Sequence, residues 1–157
     1  MNKQRGVFLL EALIGIVIFS IGVLTMVALQ AKSIEIQSDT QYRIEAANLA
    51  DRMLGEITVA VDRSSAANLQ ASLANFAHRT TTNGQCDFGG TDSGDPLVVA
   101  WVNDITTNAA ARLPGAAANR QQILVDTGTF NQVMITVCWQ AAADAIPRRH
   151  TLVTYIN

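Results

Sequence analysis

Proline is scarce and late in this chain, with 3 in 157 residues and the first at Pro96. Everything before it is free of the ring that breaks helices. Charge is also in short supply. Asp, Glu, Lys and Arg make up 15% of the residues, against about 25% in an average soluble protein. Apolar residues reach 49%, and that balance excludes a disordered chain, which needs much charge and few apolar groups. A basic excess is missing too: 11 Lys and Arg face 13 Asp and Glu. The only tight basic cluster beyond residue 6 is Arg148-Arg149-His150, which argues against a nucleic-acid binder of the usual basic kind. The length suits one domain plus an accessory segment and is too short for two full-sized cores.

The charge that is present is unevenly spread. Val7 to Ala31 is an apolar run broken by one charge, Glu11. As a helix it extends about 37 Å, enough to cross a hydrocarbon core of roughly 30 Å. Lys3 and Arg5 precede it, and Lys32, Glu35 and Asp39 follow. The positive-inside rule then places the N-terminus in the cytoplasm and the remaining residues outside the inner membrane. A cleaved secretory signal has an apolar stretch of only about 7–15 residues and a small-residue cleavage site. The end of this run, Met26 to Ala31, offers no such site. An ordinary anchor does not account for Glu11 either. A carboxylate in the bilayer centre costs on the order of 2.5–3.5 kcal/mol and calls for a partner. No Lys, Arg or His lies within helical reach inside the run. A cut after Gly6 would supply one, because Val7 would then carry a free amine and Glu11 would be the fifth residue, on the same helix face.

Lys3-Gln-Arg-Gly-Val-Phe-Leu-Leu-Glu11 resembles the class III signal of type IV prepilins and type II secretion pseudopilins. The resemblance implies that a prepilin peptidase cuts after Gly6 and N-methylates Val7, and that Glu11 is the acid used in assembly. Two departures stand out. Val7 and Phe8 occupy the places where Phe and often Ser or Thr are usual, and Ala28 replaces the proline common two-thirds of the way along; Gly15 and Gly22 are the candidates for softening the helix instead.

Residues 32–61 read on as helix, with an apolar stripe at Ala46, Leu49, Met53, Ile57 and Val61. The opposite face carries Arg43, Glu45, Asp51, Arg52, Glu56 and Asp62. Leu69, Leu73 and Phe76 suggest a short second helix, and the glycine-rich residues 80–96 a loop. Leu97, Trp101, Ile105 and Ala109 predict a third helix, stopped by Leu113-Pro-Gly115. The last third reads as strands at 122–125, 132–139 and 150–156, with a hairpin turn at Asp126-Thr-Gly-Thr129. Helices first and strands last predict an α+β domain with an antiparallel sheet. The expected organisation is a leader over 1–6, a membrane and assembly helix over 7–31, and a globular domain over 32–157.

Trp101, Leu113-Pro-Gly115, Ile135-Thr-Val-Cys-Trp139 and Leu152-Val-Thr-Tyr155 resemble the layout of PilV-like minor pilins. That resemblance implies the pilin fold, a long N-terminal helix packed on a C-terminal antiparallel sheet. It also implies a minor pilin that helps to start the type IV pilus at or near its tip and no enzymatic activity. Its expected partners are the prepilin peptidase, other minor pilins, the major pilin and the inner-membrane assembly platform. A type II secretion minor pseudopilin and a tip adhesin or DNA-binding pilin are the alternatives.

Other chemistry is weakly signalled, and no catalytic residue, metal or cofactor is expected. Asp92-Ser-Gly-Asp-Pro96 with His78 upstream has a superficial likeness to a serine-protease loop, but these residues are turn formers and the chain has no room for a double barrel. Asp87, Asp92 and Asp95 miss the spacing of a calcium loop. His78, His150, Cys86 and Cys138 match no zinc-finger spacing. Outside the inner membrane, Cys86 and Cys138 are expected to form a disulfide pinning the loop to the sheet; the alternative is two free thiols. Trp101 and Trp139 are expected in the core. With Lys3 and Arg5 removed, only Arg148, Arg149, Arg112 and Arg120 remain as candidates to meet phosphates.

Overall fold

The computed structural model describes residues 4–107 and 113–157. Lys3, Ala109 and Arg112, singled out above, lie outside them. The chain divides into two units, one ending at Gln41 and one spanning Tyr42–Asn157. The first is helical wherever it is described, and helix α1 (Gln4–Ala60) contributes its last turns to the second.

In the second unit, the α1 stripe is buried as its spacing predicts. Ala46, Met53 and Ile57 are fully enclosed, and Leu49 and Val61 nearly so. Ala50 joins them, widening the stripe to the breadth expected of a helix lying on a core. Helix α2 (Ala66–Ala74) begins at Ser65, whose Oγ accepts from the Asn68 N–H at 3.1 Å. It buries Leu69 and Leu73, and Phe76 follows into the same core.

Residues 80–96 are not loop throughout. Strands β1 (Thr81–Gly84) and β2 (Asp87–Gly89) form a small antiparallel hairpin within them. Both strands are short, and β1 is exposed along its whole length, so no alternating apolar pattern marks them.

Helix α3 (Pro96–Thr106) also departs from the expected stripe. Its buried residues are Val98, Trp101 and Ile105, whereas Leu97 is partly exposed. A constant four-residue step drifts about 40° round the helix each time, while three-then-four stays on one face. Asp95 caps the start by accepting from the Leu97 N–H at 2.9 Å, and Pro96 stands in the first turn. The helix ends at Thr106, before Leu113. There the hydroxyls of Thr106 and Thr107 donate to the Val102 and Asn103 carbonyls, a second bond to carbonyls of the last turns.

Strands β3 (Gln121–Asp126), β4 (Gln132–Trp139) and β5 (Arg148–Tyr155) form an antiparallel sheet in that order. Ile123 pairs with Ile135, and Ile135 with Leu152. The inward row of β4 is Val133, Ile135, Val137 and Trp139, all fully buried. These residues, the α1 stripe, Trp101 and Leu113 make one core, so the domain is α+β, with the outer half of the long helix packed on the C-terminal sheet. The Trp101 indole N–H reaches the Leu49 carbonyl at 2.9 Å, joining α3 to α1 inside this core. Gly115 is needed where it stands. Its φ is +59°, a Cβ would lie 2.5 Å from the Gln140 oxygen, and the Gln140 N–H donates to Pro114 at 2.8 Å.

Met53→Ala should destabilise the protein by about 2–5 kcal/mol, the usual cost of emptying such a core site. Ile44→Ala, on the exposed side of the same helix, should change stability by no more than about 0.5 kcal/mol. Denaturant unfolding of the detergent-solubilised chain, followed by tryptophan fluorescence, measures both.

Candidate functional site

Every described side chain from Val7 to Gln37 is exposed, including Phe8, Ile18, Phe19 and Leu24. Among the described residues α1 is the one helix long and apolar enough to cross a membrane, and it has the length and composition of a single-pass anchor. The hydroxyls of its apolar run are satisfied within the helix. Ser20 Oγ donates to the Ile16 carbonyl at 2.7 Å and Thr25 Oγ1 to the Ile21 carbonyl at 2.8 Å. Both hydroxyls therefore enter hydrocarbon with their donors already used.

Glu11 is the exception. Its carboxylate is exposed on α1, and among the described residues nothing pairs with it. Gly6 and Val7 lie in the first turns of the same helix, so Val7 and Glu11 stand one turn apart on one face. Gly15 and Gly22 fall within about 40° of Glu11 around the axis, and a Cβ at either would meet nothing within 4 Å. The helix is unbroken through both glycines. Ile18 stands between the two glycines on this face and Val7 and Ile14 flank it, so the carboxylate sits in an apolar surround.

In the second unit, Cys86 and Cys138 form a disulfide, with an S–S distance of 2.06 Å. Cys86 lies between β1 and β2 and Cys138 on β4, so the bond fastens the small hairpin to the main sheet, as expected for the loop. Phe88 is buried against both cysteines. Gln121 secures the same point from β3. Its side-chain Nε2 donates to the Cys138 carbonyl at 3.0 Å, and its Oε1 accepts from the Cys138 N–H at 3.2 Å. Gln122 reaches the hairpin, donating to the Arg79 carbonyl at 2.7 Å and to Thr82 Oγ1 at 3.3 Å. The part played by Gln121 escapes sequence reasoning, and the one available signal is a polar pair opening an otherwise apolar strand.

The remaining candidate clusters resolve into structural contacts. His78 does meet the Asp92-Ser93 segment, but through the Ser93 backbone N–H, which donates to Nδ1 at 3.1 Å. The Ser93 hydroxyl donates instead to the Asn75 carbonyl at 2.7 Å, so no hydroxyl stands on the imidazole as a nucleophile requires. Asp87 accepts from Asn119, Asp92 pairs with Arg79, and Asp95 caps α3. Among the described residues, no three His, Cys, Asp or Glu side chains gather as a metal site would require. Arg148 binds Asp144 at 2.7 Å, which holds that carboxyl below its ordinary range, and Arg120 donates to the Gly115 carbonyl. Both tryptophans are fully buried in the core.

Comparison with protein-family models, with curated proteins and with solved structures returns no match. What the chain itself establishes is therefore a class: an α+β protein with a disulfide-pinned sheet domain and an N-terminal helix long and apolar enough to span a membrane.

Cys86 and Cys138 are 52 residues apart, and closing a loop of that size stabilises a domain by about 2–4 kcal/mol. Replacing both by serine should lower the melting temperature, read by circular dichroism in detergent. An unchanged melting temperature would mean that the bond adds nothing to the fold.

Proposed function

We propose that the chain is a minor pilin of a type IV pilus that acts in assembly. One observation carries this reading. A single helix has an exposed apolar half with one unpaired carboxylate at Glu11 and an amphipathic half buried against an antiparallel sheet. The Lys3 to Glu11 motif adds the processing step: a prepilin peptidase cuts after Gly6 and methylates the Val7 amine. The N-terminus then lies on the cytoplasmic side of the inner membrane, the disulfide-bonded domain lies outside it, and the mature protein passes into an extracellular filament. Its partners are the assembly platform, other minor pilins and the major pilin, and its place is at or near the tip.

The mechanism follows from where the carboxylate sits. In the lone membrane-inserted chain, Glu11 stays near the interface, where water keeps its cost small. When helices pack together that water is lost, and an uncompensated buried charge costs several kcal/mol. Pairing with the Val7 amine of a neighbouring subunit removes the cost and fixes the axial register, because a misplaced helix leaves both charges alone. The same geometry serves a type II secretion minor pseudopilin. A deletion strain separates the two, by loss of piliation or by loss of exoprotein secretion.

Glu11→Gln and Glu11→Ala should both leave leader removal and membrane insertion intact while reducing the protein in sheared filaments about tenfold or more, the scale of a lost buried charge pair. Immunoblots of membranes and of sheared filaments, side by side, measure this. Normal amounts of either variant in filaments would show that the carboxylate is not the docking group.

A further inference from the structure

The residues around His78 form a contact that the proposed assembly role does not use. His78 is buried just before the β1–β2 hairpin, and its backbone bridges to Ile123 of β3 through two hydrogen bonds of 3.0 Å. Its Nδ1 accepts the Ser93 N–H, so the ring is neutral and carries its proton on Nε2. Nε2 is buried without a closed hydrogen bond, beside the Ala118 backbone. From Ser93 a chain of contacts leads to the start of α3. The Ser93 hydroxyl holds Asn75, the Asp95 N–H donates to that hydroxyl at 3.2 Å, and Asp95 caps Leu97. One neutral imidazole thus holds the turn from which α3 begins.

Two charged groups face the ring. The Asp92 carboxylate lies 3.8 Å from Nδ1, too far for a hydrogen bond and near enough to become one. Arg79, the next residue in the chain, takes that carboxylate instead, at 2.7 and 3.1 Å. The groups facing it from α3 are the apolar Val98, Val99 and Val102, and from the 118–120 turn the Ala118 backbone. Together they line a cavity of about 180 Å³. Arg79 also has a left-handed φ of +48°, kept by its N–H on the Thr91 carbonyl and by Gln122 on its own carbonyl. A bulky residue in that region stores strain that a loosened turn can release.

We propose that His78 is an acid-sensitive latch. On protonation Nδ1 becomes a donor facing another donor, the Ser93 N–H, and the ring exchanges that partner for the Asp92 carboxylate. Residues 92–95 are released, the cap of α3 loosens, and the valine-lined cavity widens. Burial holds the ring's pKa below its ordinary value; Asp92 opposes this and Arg79 adds to it. The released state titrates near the ordinary histidine value of about 6.5. The latch is therefore fully closed above that pH and is lost progressively as pH falls toward the depressed folded-state value.

The test uses the full chain in detergent micelles, with ¹⁵N NMR of the His78 ring and amide exchange at Ser93, Asp95 and Leu97. Between about pH 7.5 and pH 5, protection at these three amides should fall about tenfold or more after correction for intrinsic exchange, while Ile135 stays protected. The His78→Asn side-chain oxygen can accept the Ser93 N–H without titrating, so that variant should show no pH-dependent loss. Constant protection in the wild type, or an equal fall in the variant, would overturn the latch. The wild type alone also tests it, since Nδ1 protonation and Ser93 exchange must share one midpoint and different midpoints refute the link. Asp92→Asn removes the second partner's charge and should move that midpoint to lower pH. An unchanged or higher midpoint would refute the exchange of partners.

Discussion

Met53, Ile57, Leu49 and Val61 lose nearly all their water against the sheet, and each such side chain is worth about 1.5–3 kcal/mol when fully buried. The net stability of a domain is only about 5–15 kcal/mol. Removing this one face from water is therefore the contact on which the second unit depends. The other elements are arranged around it. Trp101 reaches across to Leu49, α2 adds Leu69 and Leu73, and β4 supplies four alternating side chains. The disulfide and Gln122 then fix a hairpin with almost no core of its own to the main sheet.

The same helix answers to two environments. From Val7 to Ala31 the one charged side chain is Glu11, the other polar ones are Ser20, Thr25 and Gln30, and every side chain is exposed. From Tyr42 onward apolar residues gather on one side and charges on the other. A helix apolar all round suits lipid or other helices, whereas a one-sided helix suits a soluble core. This change of pattern allows one element to be both anchor and scaffold. It also leaves the Glu11 carboxylate without a partner among the described residues, and the proposed assembly mechanism is built on that.

Much of the fold was legible because two periods are hard to mistake. Steps of three and four over Ala46 to Val61 named the buried face, and β-branched runs bounded by turns named β3, β4 and β5 to within two residues. The α3 stripe differs at Leu97 because a constant four-residue step drifts round the helix, whereas Val98, three residues before Trp101, falls on the buried face. The β1–β2 hairpin was missed because a disulfide and the Gln122 side chain hold it, with little apolar burial of its own. Glu11 could be found because a carboxylate in an apolar run is conspicuous by itself. The contact between His78 and Ser93 could not, because it joins residues 15 apart through a backbone amide that no residue type announces.

On the proposed reading, Glu11 is kept in an apolar helix to meet an amine created by processing. Mass spectrometry of the N-terminal peptide from filament-borne protein tests this most directly. The account predicts a peptide that begins at Val7 with a methylated amine. A peptide that keeps Met1, or one that begins near Ala31, would contradict it.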